Sequence, residues 1–123
     1  MIMITAIIQP FRLEHVRQEL ISADLVGLTV CECVGHGRQP KFVPSLTGCS
    51  DTALLLAKTK IEIAVPSSAR ETAIGAIVRG ARLGSIGDGK IFVSQLDKVI
   101  SIRTGFEEDD MTHAPVKTSE AAE

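Results

Sequence analysis

Twice along its length this chain passes from a strand-like run, apolar and β-branched the first time and alternating the second, into a proline and then into residues spaced for a helix. That repetition limits the fold more than any other feature. Met1 to Ile8 is followed by Pro10, and Lys58 to Val65 by Pro66. Proline lacks a backbone donor and biases the residue before it toward extended geometry, so each one marks the end of a strand. After the first, Phe11, Leu13, Val16, Leu20, Ile21 and Leu25 recur at helical intervals, with Arg12, Glu14, Arg17 and Glu19 between them. This spacing predicts an amphipathic helix over 11–25, stopped by Gly27. After the second, Ile74, Ile77, Val78 and Ala81 give an apolar face. There Ser67 or Ser68 would cap the free amides, and Glu71 would sit favourably in the first turn.

Each helix leads to another strand, Leu28 to Val34 and Ile91 to Val93; a turn near Leu96 to Lys98 and a short strand Val99 to Ile102 follow. In the third strand Lys58, Lys60 and Glu62 alternate with Ile61, Ile63 and Val65, so one face is polar and the other apolar. The order strand, helix, strand, long loop, strand, helix, strand is a duplicated β-α-β unit. It predicts an α+β fold, a ferredoxin-like double β-α-β sandwich with a long loop between strands 2 and 3. Both helices would lie on one side of a four-stranded antiparallel sheet. The opposite face has no cover in so short a chain and is still fairly apolar, which predicts burial by copies of the same chain in a closed homo-oligomer.

With 123 residues, 45% of them hydrophobic, the chain suits one domain over 1–106. A net charge of -2 and a pI of about 5.9 give no long-range attraction to nucleic acid, and none is expected as a partner. Three cysteines do not make a disulfide framework, and neither a secretory leader nor a run of 18 apolar residues is present, so the cytoplasm is the expected location. Cys31 and Cys33 fall on one face of a strand and read as small buried hydrophobes; Cys49 lies in a loop-like segment. His15, His36 and His113 lack metal-ligand spacing, so no metal cluster is assigned. Between Lys41 and Asp51 no long periodic element is supported and apolar character returns only at Ala53 to Ala57; a connection of about 18 to 20 residues in so small a domain is more often functional than not. Glu107-Glu108-Asp109-Asp110 opens a self-repelling segment, so 107–123 is expected to be a flexible acidic tail, with a regulatory tail as the alternative.

The chemistry concentrates in Gly84-Ser85-Ile86-Gly87-Asp88-Gly89-Lys90 and in Arg103. Gly87, Asp88 and Gly89 can present successive backbone N–H groups, Lys90 adds a point charge, and Arg103 adds a fork able to grip two phosphate oxygens. Alone, a Gly-Asp-Gly-Lys tetrapeptide is more often a surface turn, and this one is no Walker A loop. A second cluster, Gly35 to Gln39 with Arg38, ends the second strand. The fold can bring the two together, within a chain or across a subunit boundary, so that Arg38, Lys90 and Arg103 share a polyphosphate; otherwise both arginines are solvated surface charges. No serine, histidine and acid set suggests catalysis, and Glu62 and Asp88 read as structural or ligand-orienting. Binding and signalling are expected instead of an enzyme.

The collinear segments Ile7-Ile8-Gln9-Pro10-Phe11, Gly27-Leu28-Thr29-Val30, Glu32, Gly35-His36-Gly37-Arg38-Gln39, Lys58-Thr59-Lys60-Ile61-Glu62-Ile63, Ile86 to Val93 and Ile102-Arg103-Thr104-Gly105 resemble the PII signal-transduction proteins. These are small trimeric sensors of adenine nucleotide and, in many members, of 2-oxoglutarate. The resemblance implies a homotrimer with nucleotide, ATP or ADP or AMP, between neighbouring subunits. Gly87 to Lys90 and Arg103 would hold its phosphates, Arg38 would reach the terminal phosphate from the adjoining chain, and Thr29, Gly35, Gly37, Glu62 and Ala64 would line the base and ribose end. Gln39 would help complete a magnesium sphere and Lys58 would pair with a carboxylate of 2-oxoglutarate. Residues 37–55 would be the partner-binding loop.

The departures imply a changed client. Ser101 replaces a usual phosphate-binding arginine, which implies weaker ATP binding and more relative weight for ADP or AMP. Gln9 replaces a usual lysine near the loop base. In the loop, Asp51 stands where many members carry a uridylylated tyrosine, Thr47 replaces a common arginine, Cys49 aligns with a serine phosphorylated in some members, and Pro40, Phe42, Val43 and Pro44 are unfamiliar. The expected function is adenylate sensing that controls a membrane transporter or metabolic enzyme through the loop, with peripheral recruitment to the inner membrane through a transporter and with bicarbonate as a candidate ligand. The alternatives are a 2-oxoglutarate and Mg-ATP-responsive regulator of an ammonium transporter, or a structural trimer without adenylate sensing.

Overall fold

A computed structural model describes residues 1–36 and 55–108. The strands are β1 (Ile2–Ile8), β2 (Thr29–His36), β3 (Leu55–Val65) and β4 (Gly89–Gln95), and the helices are α1 (Leu13–Ser22) and α2 (Arg70–Ala81). The four strands form one sheet in the order β2-β3-β1-β4, and every neighbouring pair is antiparallel. This is the expected α+β, ferredoxin-like arrangement. The long-loop expectation falls on residues 37–54, outside the described residues.

Period-2 alternation decides which face each residue takes. Ile2, Ile4, Ala6 and Ile8 of β1 lie opposite Val65, Ile63, Ile61 and Thr59 of β3, and all of them are buried. Val16 and Leu20 of α1 and Ala73, Ala76, Ile77 and Ala81 of α2 complete that core from one side. The helices approach closely because Gly80 has no side chain: a Cβ there would come within 2.6 Å of Val16 Cα. Arg12 ties the contact by donating from Nε to the Gly80 carbonyl at 2.9 Å.

Several local expectations need correction. Each helix is entered through a 3-10 turn, Pro10–Arg12 and Ser67–Ala69. Neither Ser67 nor Ser68 caps α2. The chain enters through Pro66, whose carbonyl accepts from Ala69 N–H at 2.9 Å, and no side-chain cap is present. Glu71 does sit in the first turn. α1 ends well before Gly27, because Asp24 takes the left-handed conformation (φ 60°), with its amide bonded to Ile21 O at 2.9 Å and that of Leu25 to Leu20 O at 2.9 Å. This is a Schellman closure with aspartate where glycine is usual, and it turns Leu25 back onto the core. Val99–Ile100 (β5) pairs with Glu107–Glu108 (β6) in a separate two-stranded sheet, so the first two residues of the expected tail are strand; 109–123 lie outside the described residues.

Cys31 and Cys33 are not buried. They project from β2 with Lys60 and Lys58 opposite, on the face that no helix covers; Cys31 is exposed and Cys33 half-buried. Strand alternation gave their shared face, but hydropathy could not say which face the helices take.

Candidate functional site

The uncovered face can be read row by row from the strand registers. Cys31, Lys60, Ile7 and Lys90 lie side by side across all four strands. On one side lie Thr29, Glu62, Thr5 and Phe92, and on the other Cys33 beside Lys58. A groove of about 850 Å³ opens over this face, with Lys58, Lys60 and Lys90, Gly35 of β2 and Gly87 and Gly89 of the glycine loop among its walls. Three lysines against one carboxylate residue, Glu32, among its walls give the concave surface a net positive charge, which raises the local concentration of anions. One is partly balanced: Lys60 Nζ lies 3.9 Å from Glu62 Oε1, and Glu62 Oε2 accepts from Thr5 Oγ1 at 3.3 Å. Gly35 leaves room for the Lys58 stem, because a Cβ there would approach Lys58 Cγ to 2.8 Å.

The glycine loop owes its shape to Asp88. One carboxylate oxygen accepts from the amides of Leu83 (2.9 Å), Gly84 (2.7 Å) and Ser85 (3.3 Å). These donors, that of Leu83 foremost, outweigh the opposing cost of desolvation and hold the Asp88 carboxyl below its ordinary range. The Asp88 amide in turn donates to Ser85 O at 3.3 Å, which interrupts the expected run of exposed amides at position 88. Asp88 is expected to be structural or ligand-orienting, and its carboxylate is tied up in these loop bonds. Gln9 ties the loop to β1 by donating from Nε2 to the Gly87 carbonyl at 2.7 Å. At Gly89, φ is 115° and a Cβ would overlap the Ile7 carbonyl oxygen, so only glycine lets β4 begin there.

The described members of the predicted site fall into three places. Gly35, Lys58, Gly87, Gly89 and Lys90 share the groove, with Asp88 behind it in the loop. Thr29, Glu62 and Ala64 lie farther along the same face and outside that groove, Thr29 opposite Glu62 and Ala64 opposite Met3. Arg103 stands exposed at the turn of the β5–β6 hairpin and is not among the residues that line the groove. That turn is closed by Ser101, whose hydroxyl accepts from Thr104 N–H at 3.4 Å and whose carbonyl accepts from Gly105 N–H at 2.8 Å. Gly37, Arg38, Gln39, Phe42, Val43, Thr47, Cys49 and Asp51 lie outside the described residues. Lys60 was missed as a site residue although its alternation with Ile61 already put it on the face of Lys58. Gln9 was read only as a substitution, since no local pattern reveals a bond across 78 positions. Among the described residues, no helix is long and apolar enough to cross a membrane and no cluster of His, Cys, Asp or Glu could hold a metal.

The family model described as nitrogen regulatory protein P-II matches residues 1–106. The chain is 47% identical over 107 residues to nitrogen regulatory protein P-II 1 of Escherichia coli (strain K12), covering 87% of this chain and 95% of that protein. It is 44% identical over 102 residues to nitrogen regulatory protein P-II of Synechocystis sp. (strain ATCC 27184 / PCC 6803 / Kazusa), covering 83% of this chain and 91% of that protein. Its counterpart in Nostoc punctiforme (strain ATCC 29133 / PCC 73102) is 43% identical with the same coverage. A match of this length, through all four strands of the sheet and the glycine loop, means that the chain belongs to the nitrogen regulatory P-II family, whose members are regulators and not enzymes.

Proposed function

We propose that the protein senses adenylate state: ATP or ADP, and also AMP, binds in the groove at the cleft between subunits of a homotrimer, and the loop over 37–55 passes the result to a membrane transporter or metabolic enzyme. One observation carries this reading, the convergence of Lys58, Lys60 and Lys90 with the glycine loop that Asp88 and Gln9 hold in place. A polyphosphate matches three cations better than a single carboxylate does. Burial of the uncovered face by second and third copies supports the trimer, for Met3, Ile7 and Phe92 lie there without a helix over them. In such an assembly Arg103 joins Gly87 to Lys90 on the phosphates, and Arg38 reaches the terminal phosphate from the adjoining chain. Ser101 is a turn-closing hydroxyl and not a cation, which supports a site that favours ADP or AMP relative to ATP more than an arginine there would. Lys58, with its ammonium in the groove, supports a carboxylate such as 2-oxoglutarate, with magnesium held through Gln39; bicarbonate is the other small anion to test. The protein then acts in the cytoplasm, recruited to the inner membrane only through its client.

The test is titration calorimetry of the full chain with ATP, ADP and AMP, each with and without magnesium, 2-oxoglutarate and bicarbonate. We expect adenylate binding that Lys90→Ala weakens about tenfold or more, the value of one charge-assisted contact. No binding of any adenylate, or ATP clearly ahead of ADP, overturns the reading or its preference, respectively. Light scattering reporting a monodisperse monomer at micromolar concentration overturns the subunit cleft.

A further inference from the structure

We propose that Gln9 sets the threshold of an anion-driven peptide flip in the glycine loop, holding the Gly87–Asp88 peptide with its amide turned away from the groove until a phosphate group draws it over. That peptide is engaged at both ends. Its carbonyl accepts from Gln9 Nε2 at 2.7 Å, and its N–H donates to Ser85 O at 3.3 Å. A trans peptide is one rigid plane whose C=O and N–H point in opposite directions, so fixing the oxygen also fixes the amide. Gln9 has an extended backbone (φ -68°, ψ 136°) and follows the groove residue Ile7 by two positions, which puts it on the same face of the sheet. The Gly87 carbonyl is therefore drawn toward that face, and the Asp88 amide is directed back into the loop. Turning the plane over reverses the two, and an anion in the groove gains a backbone donor.

The local backbone permits this rotation, which changes ψ of Gly87 and φ of Asp88. Gly87, at φ 100°, has no Cβ to restrict it, and aspartate tolerates the left-handed region, as Asp24 does here at φ 60°. What opposes the flip is hydrogen bonding, and the two bonds are unequal. The Ser85 contact is long, whereas the Gln9 contact is short and partly buried, so Gln9 is the main restraint. A flip leaves the Asp88 side chain in place, and with it the separate tie from that carboxylate to the amides of Leu83, Gly84 and Ser85. The Gln9 contact lies within one chain, so covering this face with another copy does not remove it. A ligand that uses only the flipped state binds with its intrinsic affinity scaled by that state's population. Gln9 lowers the population about fivefold, the weight of one neutral hydrogen bond. The role of phosphate in the flip rests on the nucleotide reading; the latch itself does not.

The experiment compares the full chain with Gln9→Met, which keeps the side-chain length without a donor, and with Gln9→Lys, which restores one. Amide exchange read by NMR on the unliganded protein should show the Asp88 amide exchanging about fivefold faster in Gln9→Met, the Leu83, Gly84 and Ser85 amides unchanged, and protection regained in Gln9→Lys. Calorimetry should then show ADP binding up to about fivefold more tightly to Gln9→Met than to the wild type, with inorganic pyrophosphate as a second probe. An Asp88 amide that is unprotected in the wild type, unaffected by Gln9→Met or not rescued by Gln9→Lys overturns the latch, as does equal acceleration at Leu83, Gly84 and Ser85. ADP binding that is unchanged or weaker in Gln9→Met overturns the anion-driven flip and leaves Gln9 a support of the loop. If the exchange pattern and tighter pyrophosphate binding appear but no adenylate binds, the flip stands and the nucleotide reading falls. If neither anion binds, the latch alone survives.

Discussion

Replacing Asp88 by alanine removes the one acceptor shared by the amides of Leu83, Gly84 and Ser85, at 2.9, 2.7 and 3.3 Å. These bonds lie at exposed surface, so water takes up the freed N–H groups and no buried-donor penalty is added. A hydrogen bond to a charged group contributes about 1.5–3 kcal/mol, but three on one oxygen are not additive and their exposure keeps them low, giving about 2 kcal/mol together. At 1.36 kcal/mol per decade this is a shift of about 30-fold toward the open loop. Amide hydrogen exchange read by NMR is the direct assay: the Leu83, Gly84 and Ser85 amides should exchange about 30-fold faster. None of residues 83–88 belongs to the buried core, so amides in β1 and β3 should speed up less than those of the loop. Adenylate affinity should fall by as much as the loop equilibrium shifts, and Asp88→Asn, which keeps the shape without the charge, should lie between. Unchanged exchange at residues 83–85 would show that these bonds do not order the loop. Core amides accelerating more than loop amides would show that Asp88 supports the fold and not the site.

Protonation offers the same perturbation reversibly. The folded carboxyl of Asp88 lies below its ordinary value, so its stabilisation is complete above the unfolded pKa of about 3.9 and is lost as pH falls through the lower folded value. Loop exchange, corrected for intrinsic pH effects, should be flat from neutrality to about pH 4 and rise only below it; a rise centred near pH 6 would point to another group. Gly89→Ala must place a Cβ against the Ile7 carbonyl oxygen at a φ of 115°. It should lower the unfolding free energy in urea by about 2–5 kcal/mol, and a loss under about 1 kcal/mol would refute the close approach. Gly80→Ala brings a Cβ within 2.6 Å of Val16 Cα. Overpacking should exceed the gain of about 1 kcal/mol in helix propensity and leave a net loss of about 1–2 kcal/mol by urea unfolding, whereas stabilisation would mean the helices separate freely.

The sheet was legible from residues because its pattern is local. Ile61, Ile63 and Val65 against Lys58, Lys60 and Glu62 announce a half-buried strand, and two such runs each followed by a helix leave few topologies. Helix boundaries were less legible, since they depend on backbone bonds open to many residue types. Asp24 could end α1 because the amides of Asp24 and Leu25 found carbonyls in its last turn, and Pro66 could open the 3-10 turn before α2 through its carbonyl. In the site, Gly87 and Lys90 were readable from composition. Asp88 as the organiser of the loop was half readable: its place among glycines suggested a turn, but the three amides it collects are set by how the loop curls back on Leu83. Cys31 and Cys33 show the limit plainly, for the same two apolar thiols would have been core residues had the helices packed on the other side.

The strand order β2-β3-β1-β4 has a consequence for how the chain is made. The first β-α-β unit leaves a vacant slot, because β1 and β2 never touch and β3, from the second unit, fills the space between them. Neither half can close its own sheet, and β1 acquires its outer neighbour only when β4, ending at Gln95, has emerged from the ribosome. Pairings this distant slow folding and leave β1, the most apolar strand, awaiting partners during synthesis. A translation arrest anywhere before β4 should therefore yield a sticky fragment that engages chaperones and is not a smaller functional protein.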